Sequence, residues 1–100
     1  MLLYNVTVGV DKDIEEEWLQ YMREKHIKDI LNTGLFVESK MYKVIHDDDG
    51  DTISYSVQYF ARSIEDIRRY LEVFAPALVE EHRQKFKNRH ITFMTLLDEV

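Results

Sequence analysis

Two strand-like segments joined by a short acidic turn place the strongest constraint on how this chain folds. They cover residues 35–46 (LFVESKMYKVIH) and 52–60 (TISYSVQYF), and a helix-like segment lies on each side of the pair. The second segment alternates between apolar and small polar side chains, which is the period of a strand with one buried face. Its apolar positions are Ile53, Tyr55, Val57 and Tyr59. We therefore predict a β-hairpin in the middle of the sequence.

The linker DDDGD predicts a solvated hairpin turn. Asp49 and Gly50 both tolerate the positive φ that tight hairpins require. A calcium loop is the alternative, but aligning Gly50 with the glycine of an EF-hand puts Ile45 at the first ligand position and Ser56 at the twelfth. Isoleucine has no side-chain oxygen, so the pattern favours a turn.

The helix-like segment before the hairpin carries an apolar stripe and recognisable end signals. The stripe consists of Trp18, Leu19, Met22, His26 and Ile30. Asp11 or Asp13 is expected to cap the start of this helix, and Gly34 is expected to follow its end. Ile27 and Leu31 lie off the stripe. The helix is therefore predicted to bend or restart near its histidine.

A second amphipathic helix is predicted to begin at Ser63, which forms a capping box with Asp66. Its apolar positions follow at spacings of three and four: Ile64, Ile67, Leu71, Phe74, Leu78, His82 and Phe86. Pro76 lacks the backbone N–H and disfavours helical geometry at Ala75. We expect a kink or a break there.

Two further alternating segments complete a β-α-β-β-α-β order. The first runs from Leu2 to Val10, and the last contains Ile91, Phe93, Thr95 and Leu97 alternating with Thr92, Met94 and Leu96. Right-handed crossovers then place both helices on one side of a four-stranded antiparallel sheet. The predicted fold class is α+β, a ferredoxin-like sandwich with the first and third strands central, formed by a single domain over residues 1–100.

Charge and composition exclude several classes of protein. The net charge is −6, and the basic residues are scattered among acidic ones, so we expect no nucleic-acid partner. The chain has no cysteine, which excludes disulfides and thiolate metal sites. The opening segment MLLYNVTVGV has no basic flank and is interrupted by polar residues. It therefore resembles a strand, and we expect a cytoplasmic protein with no membrane partner.

The sheet face away from the helices carries the first candidate site. In the two central strands this face presents Asn5, Thr7, Ser54, Ser56 and Gln58, and we place Leu3, Met94 and Leu96 beside them. Such a mixture predicts that a second copy half covers the face and leaves a polar cavity. The five polar residues are therefore candidate ligand-binding residues, joined by Glu38, Lys40 and Tyr42 if the second strand presents that face. A hydrated subunit interface is the alternative.

His26 and His82 are the candidate catalytic residues, because imidazole titrates near neutral pH and each lies within an apolar helix stripe. Tyr42 is a third candidate, as a donor to an enolate-like oxygen. The structural alternative makes both histidines neutral core residues. Neither has a second histidine at metal-binding spacing, so we expect no metal and no cofactor.

Several segments together resemble a small domain-of-unknown-function family within the dimeric α/β-barrel superfamily. They are YNVTV at residues 4–8, TGLF at 33–36, YSVQYF at 55–60, FAPAL at 74–78, EH at 81–82 and TLL at 95–97. In that family a proline usually follows a His-Ile pair, whereas Lys28 follows it here. The resemblance implies a homodimer whose sheets face each other. It implies no reaction, because the family has none assigned.

Two functions remain open at the level of sequence. The first is a homodimer that binds a small molecule or partner at the cavity formed by dimerisation. The second is a cofactor-independent enzyme, resembling a monooxygenase or isomerase, that acts on a small aromatic or carbonyl metabolite with His26 or His82 as base and Tyr42 or Asn5 steadying the oxyanion. If a histidine and a polar group of the open face line one pocket, the enzyme is favoured.

Overall fold

Four strands form one antiparallel sheet in the computed structural model, which describes residues 1–45 and 50–100. The strands are β1 (Leu2–Asp11), β2 (Glu38–Lys43), β3 (Thr52–Ala61) and β4 (His90–Asp98). Their order in the sheet is β2-β3-β1-β4, so the first and third strands are central. Both predicted helices lie between strands in the chain. The α+β, ferredoxin-like architecture is confirmed.

The central hairpin joins β2 and β3 in antiparallel register. Gly50 has φ +74°, the left-handed conformation that glycine adopts without steric cost. Residues 46–49 lie outside the described part of the chain, and the turn at Asp49 and the calcium alternative lie there with them. The second strand is shorter than predicted, since only six residues pair with β3.

Each predicted helix is an α-helix interrupted by a π-helical turn. The first helical arm (residues 15–31) contains α1 (Glu15–Tyr21), a π turn (Met22–His26) and α2 (Ile27–Leu31). A π turn adds one residue to the helical repeat, which explains why Ile27 and Leu31 lie off the stripe yet still pack on the core. The irregularity expected near His26 is confirmed, and Gly34 follows the arm with φ +81°.

The second helical arm (residues 64–85) contains α3 (Ile64–Arg69), a π turn (Tyr70–Phe74) and α4 (Ala75–Lys85). Ser63 caps it as predicted, because its hydroxyl accepts a hydrogen bond from the backbone N–H of Asp66 at 3.2 Å. Pro76 stands in the first turn of α4, where a missing N–H costs little. The expected interruption is therefore a π turn just before the proline. No helix in the described ranges is both long and apolar enough to cross a membrane.

The two aspartates expected to cap the first arm bind Arg89 instead. Asp11 precedes a short 3₁₀ turn and makes no capping hydrogen bond with its side chain. Instead it accepts one from Nε of Arg89 at 2.7 Å, and Asp13 pairs with the same guanidinium. This correction has an electrostatic reason, since a carboxylate gains more from a charged donor than from a backbone N–H. The pairs tie the end of β1 to the segment before β4.

The core lies between the sheet and the two helical arms. Its largest fully buried side chains include Trp18, Tyr59 and Tyr70. Alternate residues of β1 and β3 supply the sheet side, among them Tyr4, Val8, Tyr55 and Val57. The predicted inward faces of both central strands are therefore confirmed.

The residues of β4 face the opposite way from our prediction. We placed Met94 and Leu96 on the open face, but they pair with Val6 and Tyr4 and therefore lie on the helix side. The open face of β4 carries Ile91, Phe93, Thr95 and Leu97, opposite Gly9, Thr7, Asn5 and Leu3. Both alternating sets are apolar, so the pairing register alone decides which set faces the helices.

Candidate functional site

A cavity of about 640 Å³ lies within the subunit, between the sheet and the helical arms. It forms on the β4 side of the core, where the helix-facing residue Met94 remains half exposed. Most side chains of its wall are aromatic or aliphatic. Its polar residues are three histidines, three tyrosines and four others at the β4 end: His26, His82, His90, Tyr4, Tyr59, Tyr70, Arg83, Lys87, Asn88 and Thr92. A concave, mostly apolar space with a few polar groups is typical of small-molecule sites.

The polar groups separate into two ends along the strands. Tyr4 is paired with Tyr59, and His90 is paired with Val10. The rise of a strand places those levels roughly 20 Å apart. We call them the tyrosine end and the histidine end of the cavity.

The histidine end is organised by Trp18, which is fully buried. Its indole N–H donates to Nε2 of His82 at 2.9 Å. Indole only donates, so Nε2 is the acceptor, and a neutral His82 carries its proton on Nδ1. The single lone pair of the neutral ring is therefore occupied. His82 in this arrangement is a hydrogen-bond donor toward its surroundings, not a base.

Two more imidazoles surround His82. Its ring centroid lies 5.1 Å from that of His26 and 4.8 Å from that of His90. Nδ1 of His90 is 2.7 Å from the carbonyl oxygen of Phe86, which only accepts, so this nitrogen carries a proton. His26 stacks on Tyr21, with centroids 5.8 Å apart. Lone pairs for a ligand therefore come from His26 or from Nε2 of a neutral His90.

Burial keeps two of these rings neutral. Desolvation lowers the pKa of His26 from 6.5 to about 4, against the opposing pull of Glu81 and Asp29. Desolvation, together with a smaller contribution from the neighbouring His26 and His90, lowers the pKa of His82 to about 3. Both histidines are thus uncharged at neutral pH, as the structural alternative predicts. A neutral imidazole in a cavity is also what proton abstraction requires.

The tyrosine end is an aromatic cluster. The ring centroid of Tyr4 lies 5.9 Å from that of Tyr59 and 5.6 Å from that of Tyr70. Phe36 packs on both Tyr59 and Tyr70. Burial raises the pKa of Tyr4, Tyr59 and Tyr70, so all three phenols stay protonated. The Tyr70 hydroxyl is buried and has no hydrogen-bond partner among the described residues.

The five residues predicted to bind a ligand lie together on the other face of the sheet. Asn5 is paired with Gln58, Thr7 with Ser56, and Gly9 with Ser54. Hydrogen bonds join four of them: Ser56 Oγ to Asn5 Oδ1 at 2.6 Å, Asn5 Nδ2 to Thr7 Oγ1 at 3.1 Å, and Gln58 Nε2 to Ser56 Oγ at 3.2 Å. These three hydrogen bonds satisfy some of the donors and acceptors of the four side chains within one subunit.

Tyr42 is half exposed on that same open face, where it is paired with Ser56, and Glu38 and Lys40 accompany it. The wall of the cavity contains none of the five open-face polar residues and not Tyr42, within the described ranges. The sheet therefore separates Tyr42 and Asn5 from the histidines within one subunit. The enzyme alternative required a histidine and one of these groups to share a pocket, and within one subunit they do not.

Sequence reasoning also missed His90, Tyr4, Tyr59 and Tyr70 as members of one wall. A signal was present for the strand residues, because Tyr4 and Tyr59 occupy inward positions of the alternating pattern. No such signal marked His90, whose role depends on the register of β4. In residues 1–45 and 50–100, no three histidine, aspartate or glutamate side chains are grouped as ligands for a metal ion.

The fold and the cavity define an α+β protein of the ferredoxin-like class with an internal, mainly apolar pocket. The chain belongs to the family described as a domain of unknown function (DUF4286), whose model matches residues 1–100. The predicted resemblance to a domain-of-unknown-function family is confirmed. No curated protein matches this sequence.

Solved structures with this fold share little sequence with the chain. An ethyl tert-butyl ether d (ethd) family protein from Bacillus halodurans C-125 has a TM-score of 0.70 at 8% identity, with all of both chains covered (100% of each). A dimeric ferredoxin-like protein from an uncultured marine organism has a TM-score of 0.70 at 13% identity, covering 100% of this chain and 95% of that one. These likenesses concern the fold alone.

A third structure carries a functional description. SnoaB, a cofactor-independent oxygenase from Streptomyces nogalater, has a TM-score of 0.65 at 12% identity, covering 99% of this chain and 93% of that one. At this identity the likeness again concerns the fold alone.

Proposed function

We propose that this protein is a homodimer that binds a small, mainly apolar ring compound in the cavity between its sheet and its helical arms. The observation that carries the proposal is the cavity itself, about 640 Å³ with an aromatic and aliphatic wall. That volume falls within the range of small-molecule pockets. Aromatic walls favour planar rings, because stacking adds to the hydrophobic gain.

The location of this site differs from the one predicted from sequence. The sequence pointed to a cavity between two subunits, formed by the polar open face. The cavity that supports the proposal lies mainly on the opposite side of the sheet, and its wall also includes Ile91 and Phe93 from the open face of β4. In the proposal, the open face serves dimerisation and the helix side serves binding.

A homodimer is supported by the apolar side chains of the open face. Ile91 is 72% exposed, Phe93 62% and Leu97 47%. They lie in register beside Gly9, Thr7 and Leu3 of β1 and form one side of the face. Covering such side chains removes apolar surface from water, which favours association. The marine protein of the same fold, which is described as dimeric, agrees with this expectation.

A cofactor-independent enzyme is the second candidate, favoured by the uncharged histidines in the cavity wall. Desolvation lowers the pKa of His26 to about 4, which keeps its lone pair free but makes it a weak base, so only a strongly acidic substrate proton suits it. His82 uses its lone pair to bind Trp18, so it positions the cluster. SnoaB, a cofactor-independent oxygenase with the same fold, is consistent with this chemistry.

The binding proposal is tested by closing the cavity at its rim. Val79 belongs to the wall and is 47% exposed, so it lies at the opening. Val79→Trp is expected to weaken binding of ethylnaphthalene by about tenfold or more, because an added indole competes for the same space. Equilibrium dialysis of the labelled hydrocarbon measures this.

Val73→Trp is the matched control, since Val73 is 55% exposed on the same helical arm and is not part of this wall. It should bind the hydrocarbon as wild type does. Equal binding by wild type and Val79→Trp would contradict the cavity as the binding site, and no binding by wild type would contradict the proposed function.

A further inference from the structure

We propose that Tyr70 selects the polar group of the ligand, its hydroxyl donating a hydrogen bond to a carbonyl oxygen on an apolar ring compound. The inference rests on the proposed function of the cavity and names the class of molecule that it holds. It assigns a role to the tyrosine end, which the acid-base chemistry of the histidine end does not use.

The hydroxyl of Tyr70 is an exception to how folded proteins treat buried polar groups. The side chain is fully buried, and its oxygen has no partner in the described part of the chain. Buried hydroxyls are nearly always hydrogen-bonded, because leaving one unpaired sacrifices its hydration without compensation. An acceptor brought by a ligand would supply the missing partner. Phenylalanine at this position would avoid the cost altogether.

The ring of Tyr70 is held in place at the cavity wall. It packs against Tyr4 and Phe36, with centroids 5.6 and 5.1 Å away. It is also the first residue of the π turn Tyr70–Phe74 in the second helical arm. π turns are uncommon and occur frequently at functional sites. The backbone irregularity and the unpaired hydroxyl are independent observations at one residue.

The chemistry of this end favours a neutral acceptor. Burial raises the pKa of Tyr70, and the nearby Tyr4 raises it further, so the hydroxyl is a donor at neutral pH. The cations of the wall are Arg83 and Lys87, thirteen or more residues further along the chain. At the rise of a helix that separation is roughly 20 Å. A ligand carboxylate bound beside Tyr70 would have no cation to neutralise its charge. A ketone or quinone carbonyl carries no charge and needs only the hydrogen bond.

Tyr70→Phe first tests whether the hydroxyl is unpartnered in the free protein. Its Tm is expected to equal or exceed that of wild type, because the substitution removes a buried polar atom and keeps the ring. Differential scanning calorimetry measures this. A fall in Tm would mean that the hydroxyl already holds a structural hydrogen bond, and it would overturn the inference.

Binding is then compared for two ligands that differ in one oxygen, acetylnaphthalene and ethylnaphthalene. Wild type is expected to prefer the ketone more strongly than Tyr70→Phe does, by about three- to tenfold in the ratio of the two dissociation constants. Affinity for the hydrocarbon should be the same in both proteins. Tyr21→Phe is the control, because the Tyr21 hydroxyl already donates to Glu81 at 3.1 Å and its ring lies outside the wall.

The outcomes separate this inference from the function on which it rests. If wild type binds ethylnaphthalene but Tyr70→Phe leaves the ketone preference unchanged, Tyr70 does not select the ligand and the cavity function stands. If Tyr21→Phe lowers the preference as much as Tyr70→Phe, the effect is indirect and the inference fails. If neither ligand binds wild type, the proposed function and the inference are both overturned.

Discussion

The side chain of His82 shows how one hydrogen bond decides what an imidazole can do. Nε2 accepts from Trp18, so the proton of the neutral ring resides on Nδ1 and the lone pair is occupied. The ring is buried beside His26 and His90. Its position in the helix stripe was evident from the sequence, but its tautomer depends on a tryptophan in the other helical arm. His26 is consequently the better candidate base.

The lowered histidine pKa values predict how stability depends on pH. The pKa of His82 is lowered to about 3 and that of His26 to about 4, so the unfolded chain binds protons that the folded chain resists. Their contribution is present above about pH 6.5 and is lost as the pH falls through the folded values, by about 1.4 kcal/mol per pH unit for each ring. Denaturant titration between about pH 5 and 6.5 measures the slope above most carboxylate titrations.

His82→Gln is expected to remove about half of that slope. Glutamine retains an oxygen that can accept from Trp18, which keeps the indole paired. The His26→Gln, His82→Gln double variant should flatten the dependence in this range. NMR titration of the ring protons provides the direct check, and a pKa at or above 6.5 for His82 would contradict the neutral, buried state.

Trp18 is the residue whose loss should cost the most stability. It is fully buried, its ring centroid lies 5.1 Å from that of Tyr55, and its indole N–H donates to His82. Trp18→Ala is expected to reduce the free energy of unfolding by roughly 3 to 5 kcal/mol, the usual range for emptying an aromatic core site. Urea denaturation followed by circular dichroism measures the change. A loss below about 1 kcal/mol would mean that the site collapses around the missing ring.

At the level of secondary structure, both helical arms contain a π turn, at Met22–His26 and at Tyr70–Phe74. Each turn contributes residues to the cavity wall: Met22, His26, Tyr70 and Leu71. The extra residue changes which side chains face the core on its two sides. In the first arm this lets the pairs His26/Ile30 and Ile27/Leu31 both contact the interior.

Deleting one exposed residue distinguishes a π turn from regular helix. Removing Arg23, within Met22–His26, should restore an α-helical turn and keep the flanking faces in place, at a cost of about 1 kcal/mol. Gln20 is exposed in α1. Removing it should rotate the helix before it by about 100° relative to the helix after it, and should lower the free energy of unfolding several-fold more. Thermal unfolding compares the two variants. Equal destabilisation would contradict the role assigned to the turn.

At the level of the whole molecule, the sheet divides two surfaces with different chemistry. The helix side contains the core and the cavity, and the open side carries the Asn5, Thr7, Ser56 and Gln58 hydrogen bonds beside the apolar residues of β4. Ile91 and Phe93 belong both to the open side and to the cavity wall, whereas Leu3 and Leu97 belong to the open side alone. A mutation at Leu97 therefore tests dimerisation without altering the cavity wall.

Leu97→Glu is expected to weaken the dimer by about tenfold or more, because it places a charge on apolar surface that the partner covers. Leu97 lies outside the cavity wall, so binding is not altered directly. Val73→Glu, on a similarly exposed helix position, should leave the dimer unchanged. Sedimentation velocity over a concentration series measures both. A wild-type monomer of 12.0 kDa at micromolar concentration would contradict the proposed homodimer.

Local patterns were sufficient to predict the elements and their order. Ser63 caps its helix through an atom three residues away, and Gly50 adopts its turn conformation for reasons within its own backbone. The alternating residues of β1 and β3 identified the buried faces, because only one face of each strand is apolar. These interactions are short in sequence, so the sequence by itself determined the ferredoxin-like fold.

Only the tertiary structure decided the face of β4, the cavity and the partners of its polar groups. Both faces of β4 are apolar, so its orientation depends on pairing with a strand eighty or more residues away. Trp18 finds His82 across 64 residues, and the Tyr70 hydroxyl finds no partner in the described chain. Such relations depend on how distant side chains fill space, which no local period encodes.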